Sequence, residues 1–439
     1  MGGSGMANWL RELEQPTPGW FQAFAAAVRE AGPEAAAREA VLRLVPVVDW
    51  AAYLPAVPHG LQGLQAALRL RPLLREGSFL RLLATQLHAF ALEGRSPAGH
   101  GLGAIGAGSG HWGNLRLALA QHRPAIAWGE AAAVAQVQAG QFAELETAAE
   151  ADMANVGHKS VLARQMGQLF TALGEPLEAG RLLLAVTAWH CASEPFDTFW
   201  HERAAHRLGD APAVPFRAPA QSPGEHRALA REVCDSGLVL LLDRFSAQVR
   251  AAAGSGDLLA ALALAAAEKQ LDARRDLEGK TSWNFVALSA LAQRTAEAGR
   301  SAPESWVQAA ALVNLFPTDE EEDRPRPAPL PDPPGDPEAG LLDAILDGEP
   351  QAAMARAAAL LALGGPEPVL GVLAEAASAN DPAFNHSHQV LAVAAAAELM
   401  PFLTDPARAA VLVALAKALG NGQGSSDLGR LADAALIGS

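Results

Sequence analysis

The chain has few of the features that would tie it to an oxidising compartment or to a membrane. Only two of its 439 residues are cysteines, Cys191 and Cys234, and they give neither a disulfide framework nor a CxxC pair. No apolar stretch of about 18 residues is free of charges and prolines, so no membrane span is predicted. No signal peptide is recognisable, and residues 1–6 resemble an expression scar. We therefore expect a soluble, cytoplasmic protein with no membrane partner.

Positive charge is also scarce. The formal net charge is −15 at pH 7, and lysine occurs only four times. A nucleic-acid groove needs a basic surface to neutralise phosphates, so no nucleic-acid partner is expected. The partner that we expect is a small molecule, and the sequence leaves the oligomeric state open.

Apolar residues recur at three- and four-residue spacing along almost the whole chain, which is the period of an amphipathic α-helix. Strand-like alternation is absent. We predict an all-α fold with a single large helical-bundle-like domain at 7–316. An acidic, proline-rich linker or exposed loop at 317–340 then precedes a C-terminal helical segment at 341–439, which packs on the main domain. No fixed-period repeat is visible, although helical hairpins of roughly 35 residues leave a solenoid open.

Two familiar motifs are present in the wrong context. The stretch 101–106 spells GxGxxG, but a turn precedes it where the dinucleotide fingerprint requires a strand. His201 and His206 resemble a zinc-protease helix, but a spacing of five residues turns the two rings about 140° apart on a helix of 3.6 residues per turn. Neither motif predicts a cofactor or metal site.

Histidine, with twelve residues, is three times as frequent as lysine. Three of these histidines, His59, His158 and His388, each open an apolar helical stretch, where a ring can face inward. Histidine is the commonest metal ligand, and a metal would satisfy several buried imidazoles at once. We therefore predict that these three rings converge on a metal. The alternative is that each is a core histidine bonded to a backbone carbonyl. His122 and His226 lie beside arginines and are predicted to be solvated.

Other candidates have the same setting. His111 follows a glycine-rich turn and His190 ends an apolar helix, so both are candidate metal ligands. His386 is a candidate cap or partner of His388 and a candidate substrate-binding residue. A flat apolar substrate could stack on tryptophans beside these histidines. The candidates are Trp112, Trp189 and Trp283.

Lys280 stands ahead of another apolar helical stretch. A lysine in this position could extend its ammonium to solvent. If it is buried instead, its pKa falls and its amine can react with carbon dioxide to give a carbamate, an anionic oxygen ligand. We predict that Lys280 acts at the metal site.

Several short stretches resemble the questin oxidase-like family, all-helical oxygenases best known from fungal polyketide pathways. They are Pro58–Leu64, Gly110–Ala120 with Gly129–Ala133, His388–Ala392, and Glu278–Lys280. Two positions depart from the family pattern: Asn114 stands where a second histidine is common, and Leu391 replaces a threonine. The resemblance implies non-heme iron held by histidines, in some members with a carboxylated lysine, and oxidative cleavage of an aromatic polyketide quinone.

The sequence thus favours a metal-dependent oxygenase with non-heme iron and O2, and with NADPH as a candidate further cofactor. Its substrate would be an aromatic polyketide-like or other flat apolar small molecule. An iron site that binds oxygen requires an open coordination position. Two alternatives stay open. One is a non-catalytic helical scaffold that binds a protein partner, and the other is a metal-dependent hydrolase.

Overall fold

The computed structural model describes residues 12–13, 15–50, 59–93, 108–149, 157–193, 199–272, 281–315, 336–380, 387–421 and 427–436. Within these ranges the chain is all-α, as predicted, with 21 α-helices. Lys280, His386 and positions 317–335 of the predicted linker lie outside the described residues. None of the described helices combines the length and apolar character that a membrane span requires.

The helices of the first half are short and are separated by proline or glycine. They are α1 (Pro18–Ala31), α2 (Pro33–Leu44), α3 (Gly60–Leu70), α4 (Glu76–Leu92), α5 (Trp112–Ala120), α6 (Pro124–Ala132), α7 (Ala139–Ala149), α8 (His158–Ala172) and α9 (Leu177–Cys191). A 3₁₀ turn, Arg71–Leu73, follows α3.

The second half continues in the same way. Its helices are α10 (Phe199–Leu208), α11 (Pro223–Asp235), α12 (Leu238–Ala251), α13 (Ser255–Asp272), α14 (Trp283–Ala298), α15 (Pro303–Leu315), α16 (Pro337–Leu346), α17 (Pro350–Gly364), α18 (Pro366–Ala379), α19 (His388–Leu399), α20 (Asp405–Gly420) and α21 (Asp427–Leu436). A 3₁₀ turn, Met400–Phe402, follows α19, and the two-residue strands β1 (Val214–Pro215) and β2 (Arg300–Ser301) pair antiparallel.

Many of these helices start where the sequence supplies a start signal. Proline stands at the first or second helical position of α1, α2, α6 and α11, among others, where its missing N–H costs nothing. Ser222 and Glu225 form a capping box at α11. Asp336 caps α16 by accepting a hydrogen bond from the Glu338 N–H at 3.0 Å. Helix α16 therefore begins at Pro337, inside the stretch predicted as linker.

The chain divides into two compact units. The first unit comprises Met1–Phe196, Asp381–Ser387 and Asp427–Ser439, and the second comprises Asp197–Asn380 and His388–Ser426. The predicted boundary at 317–340 therefore differs from this division, because α16 to α18 group with the helices that precede the acidic stretch. The last helix, α21, groups instead with the first helices of the chain.

Each unit has an apolar core of alanine, leucine and aromatic side chains. In the first unit the rings of Trp20 and Phe24 stack with centres 5.3 Å apart, and Trp50 is fully buried. In the second unit Trp283 and Trp306 are buried to within 1%. Polar side chains, His190 and Asn284 among them, are buried in the same cores.

Candidate functional site

The first unit brings together two of the three predicted histidines. His59 is the N-cap of α3, and His158 is the first residue of α8. Their ring centres lie 5.3 Å apart with a 60° angle between the ring planes. His158 is 8% exposed. His59 is half-buried. Two helix starts that are far apart in sequence therefore place two imidazoles side by side.

Two glycines make this arrangement possible. Gly157 precedes His158 in the left-handed conformation, with φ of 71°, which glycine adopts without steric cost. Gly60, next to His59, packs on the last turn of α4. A Cβ at Gly60 would lie 2.6 Å from the Phe90 Cα, closer than any real contact. Helix α3 can therefore approach α4 only with glycine at this position.

A buried carboxyl group lies at the same helix start. The backbone N–H of Gly60 donates a hydrogen bond to Glu93 Oε1 at 2.6 Å. The residue as a whole is half-buried, but Glu93 Oε2 is enclosed and has no hydrogen-bond partner among the described residues. Burial raises the pKa of Glu93 to about 8, against the lowering effect of the Gly60 N–H. At neutral pH this carboxyl is therefore mainly protonated.

His190, also predicted, lies in the last turn of α9 and is fully buried. Trp50 contacts it edge-on with ring centres 5.9 Å apart. Neither ring nitrogen of His190 has a hydrogen-bond partner within the described ranges. Burial, and then the neighbouring charges of Lys159 and His158, lower the pKa of His190 to about 3. The ring is therefore neutral, which is the form that binds metals.

Sequence reasoning missed Lys159 and chose Lys280 instead. Lys159 follows His158 directly, is 1% exposed, and donates a hydrogen bond from Nζ to the Ser193 carbonyl at 3.0 Å. That carbonyl follows the C-terminus of α9, where a cation is favourable. The rarity of lysine was a usable signal here, because Lys159 also adjoins a predicted ligand.

Glutamines extend the buried polar region of the first unit. The Gln65 Nε2 donates to Gln168 Oε1 at 2.8 Å, joining α3 to α8. Gln62 is fully buried, and neither atom of its amide has a partner in the described part of the chain. The Ser387 hydroxyl donates to Gln86 Oε1 at 2.7 Å. Since apolar cores normally exclude such groups, their number points to a polar ligand or water.

His59 and His158 have the chemistry of metal ligands, but the described residues do not supply a complete ligand set. Two imidazoles on one metal, with bonds of about 2.1 Å, have ring centres roughly 5 Å apart, which agrees with the His59 and His158 rings. Buried neutral nitrogen donors suit iron or zinc. Among the residues that the structure describes, however, no group of three or more histidine, cysteine, aspartate or glutamate side chains could hold a metal ion.

His111 and Trp112 lie in a different setting. His111 is exposed at the N-cap of α5, whereas His158 is buried and His59 is half-buried. The Trp112 indole donates to Glu144 Oε2 at 2.7 Å, and Arg116 binds the same oxygen. Trp112 lines an open groove of about 780 Å³, and Cys191 forms part of its wall. Trp189 is 9% exposed on α9.

In the second unit, His388 is the first residue of α19 and is 6% exposed. Its ring centre lies 5.9 Å from that of Trp283, the first residue of α14. Two predicted residues are thus neighbours. The convergence of His388 with His59 and His158 stays a prediction.

The prediction that His226 is solvated is wrong. His226 is 1% exposed, and its Nε2 lies 2.9 Å from Asp257 Oδ1. Hydrogen bonds from the Gln221 N–H, the His226 ring and the Ala220 N–H outweigh burial and lower the pKa of Asp257. The adjacent arginine indicated a charged face, but the partner of His226 comes from another helix.

His190→Leu should stabilise the metal-free protein by about 1–3 kcal/mol, because it removes two buried nitrogens and keeps most of the ring volume. Urea unfolding of the metal-free protein measures this change. His88→Leu is the matched control, since His88 bonds the Leu13 carbonyl at 2.6 Å and its loss should destabilise. A His190→Leu protein less stable than wild type would mean that the ring has a structural partner.

No protein-family model, curated protein or solved structure matches this chain. The resemblance to the questin oxidase-like family therefore rests on the short stretches quoted above. What the chain does has to be argued from the chemistry of the buried polar groups.

Proposed function

We propose that this protein is a metal-dependent oxygenase that binds non-heme iron through His59 and His158. The 5.3 Å distance between the centres of their rings carries the proposal. A divalent metal is a partner that two imidazoles can share, and imidazole is a common ligand of iron. The iron would bring O2 and substrate together at an open coordination position.

The surrounding groups of the first unit support this role. Gly60, fixed by Glu93, sets the position of His59 at the start of α3. The Lys159 ammonium beside His158 and His190 disfavours protonation of His190. This keeps an imidazole in the state that can bind a metal. His190 is thus a candidate further ligand or a partner of a bound oxygen atom.

The proposed substrate is a flat apolar molecule. The groove lined by Trp112 has a volume of about 780 Å³ and a mostly apolar wall of leucine and alanine. Small-molecule sites commonly have this size and composition. Cys191, in its wall, follows His190 in α9. The groove is therefore a candidate route toward the buried histidines.

A metal-dependent hydrolase is the second candidate, and Glu93 favours it. A carboxyl group with a pKa of about 8 can exchange a proton near neutral pH, as a general acid or base must. Glu93 Oε2 is the oxygen that would do so, because Oε1 accepts the Gly60 N–H. Hydrolysis and oxygenation would use the same histidines but differ in their need for O2.

Iron binding to variants tests the proposal. We expect the wild type, loaded anaerobically with Fe²⁺, to retain about one ion per chain after desalting. His59→Ala and His158→Ala should each weaken binding at least about 100-fold, since even the partners of metal ligands contribute 10–100-fold. The exposed His206→Ala is the control and should bind iron like wild type.

Oxygen consumption then separates the two enzyme classes. Iron-loaded wild type should consume O2 in the presence of flat aromatic compounds, and both histidine variants should not. Metal-dependent ester or amide cleavage without O2 uptake would favour the hydrolase. Equal iron binding by wild type and both histidine variants would overturn the proposed site, and no metal binding at all would favour the scaffold.

A further inference from the structure

The two units contain helix pairs of the same construction. In the first unit, α3 and α8 start side by side at His59 and His158, and Gln65 and Gln168 join them further along. Gln65 stands six positions after His59, and Gln168 stands ten positions after His158. Two contacts in the same order along both helices mean that the helices run in the same direction.

The second unit repeats this spacing. Helices α14 and α19 start side by side at Trp283 and His388. The Ser289 hydroxyl donates to Glu398 Oε2 at 3.1 Å. Ser289 stands six positions after Trp283, and Glu398 stands ten positions after His388. Ser387, before His388, has a positive φ of 62°, like the glycine before His158. Each unit thus holds two parallel helices whose N-termini meet.

The two pairs differ in what faces these N-termini. At α3 the Glu93 carboxyl accepts the hydrogen bond of the residue after the ring residue, which is Gly60. In the second unit the corresponding backbone N–H, that of Asn284, donates to the Thr281 carbonyl at 3.3 Å, and no carboxyl group takes that place among the described residues. The first turns of α14 and α19 contain no acidic residue, and the Ser282 side chain does not cap α14. An N-terminus carries a partial positive charge, so an acceptor is favourable there.

Asn284 gives independent evidence for a ligand. It is fully buried, and neither the Nδ2 nor the Oδ1 atom has a hydrogen-bond partner among the residues described. Side chains on a helix tilt toward its N-terminus, so the Asn284 amide is directed to that end of α14. Asn380 is 4% exposed; it donates from Nδ2 to Gln389 in α19, and its Oδ1 likewise lacks a partner in the described ranges. Such buried amide atoms are costly unless something binds them.

We propose that the second unit binds a small carboxylate-like oxyanion at the paired N-termini of α14 and α19, with Asn284 as a donor to it. The ligand would lie beside the Asn284 side-chain amide at these two N-termini. It must be small, of the size of formate, acetate or bicarbonate, because Ser282, Trp283 and Asn284 are at most 1% exposed. Helix N-termini with converging donors are general anion sites. The site does not depend on iron or on the proposed function.

Acetate binding tests the proposal. Isothermal titration of the metal-free full chain at constant ionic strength should show saturable binding of acetate, and none of acetamide, its neutral isostere. Asn284→Leu should weaken acetate binding by at least about tenfold, because it removes a donor to a charged group. Asn114→Leu, at an exposed asparagine of the first unit, is the control and should bind acetate like wild type.

Stability without ligand distinguishes this account from a structural role of Asn284. In acetate-free buffer, Asn284→Leu should raise the Tm. The substitution removes two buried amide atoms that have no hydrogen-bond partner among the described residues. Asn284→Asp should also abolish acetate binding, since its own carboxylate would occupy the place. The proposal is overturned if Asn284→Leu keeps the wild-type acetate affinity, if it lowers the Tm, or if acetamide binds as tightly as acetate.

Discussion

Glu93→Gln is expected to abolish a fall in stability of about 2 kcal/mol between pH 6.5 and 8 in the metal-free protein. In the folded chain burial raises the pKa of Glu93 to about 8, whereas the ordinary pKa of a glutamate side chain is 4.5. Between these values only the folded state holds the proton, so unfolding releases it and rising pH favours unfolding. Glutamine cannot ionise, but it can still accept the Gly60 N–H.

His190 sets the lower limit of this window. Burial lowers its pKa in the folded protein to about 3 from the ordinary 6.5, so between pH 3 and 6.5 only the unfolded state takes up a proton. This makes stability fall as pH drops, the opposite of the Glu93 effect, and the two slopes cancel between pH 4.5 and 6.5. Above pH 6.5 the effect of His190 no longer opposes that of Glu93.

Urea unfolding at half-unit steps from pH 6.5 to 8 measures the effect. The exposed Glu30→Gln removes the same charge elsewhere in the first unit and should keep the wild-type slope. If Glu93→Gln also keeps that slope, Glu93 is ionised in the folded protein, and its proposed use as a proton donor or acceptor at neutral pH is lost.

Arg164→Leu is expected to destabilise the protein by about 3–5 kcal/mol. Arg164 in α8 is 7% exposed in its side chain, and its Nη1 lies 3.2 Å from Oε2 of Glu146, which is 2% exposed in α7. Removing the cation leaves the carboxylate inside the core, where its desolvation is costly. The pair therefore holds α8, and with it His158, against α7.

The double variant Arg164→Leu/Glu146→Leu is the control for this prediction. Because it removes both charges and keeps apolar volume, it should recover most of the lost stability. Thermal and urea unfolding of Arg164→Leu, Glu146→Leu and the double variant give the coupling energy between the two side chains. Additive losses in the double variant would show that the two side chains stabilise the core separately.

Local patterns were sufficient to predict the helices and to place His59 and His158, two of the three histidines expected to converge, at helix starts. Both follow from local patterns: apolar periodicity, and a histidine at the start of an apolar helix. Glu93 was missed because it matters only through the packing of the end of α4 on the start of α3. His226 was misread for the same reason, since Asp257 reaches it from α13. A local pattern does not specify such long-range partners.

The organisation into units was also beyond local patterns. The matching helix pairs are separated by unequal lengths of chain, and their residues differ in type, so no fixed period arises. The grouping of Ser387 and of α21 with the first unit leaves no mark in composition. Such groupings depend on which apolar faces meet, and many alanine-rich helices here offer similar faces.

X-ray absorption at the iron edge of the anaerobically loaded protein tests the central claim most directly. We expect about one iron per chain with nitrogen ligands near 2.1 Å, at least two of which show imidazole scattering. The double variant His59→Ala/His158→Ala should lose that scattering. Iron surrounded by oxygen ligands alone, or a spectrum unchanged in the double variant, would contradict it.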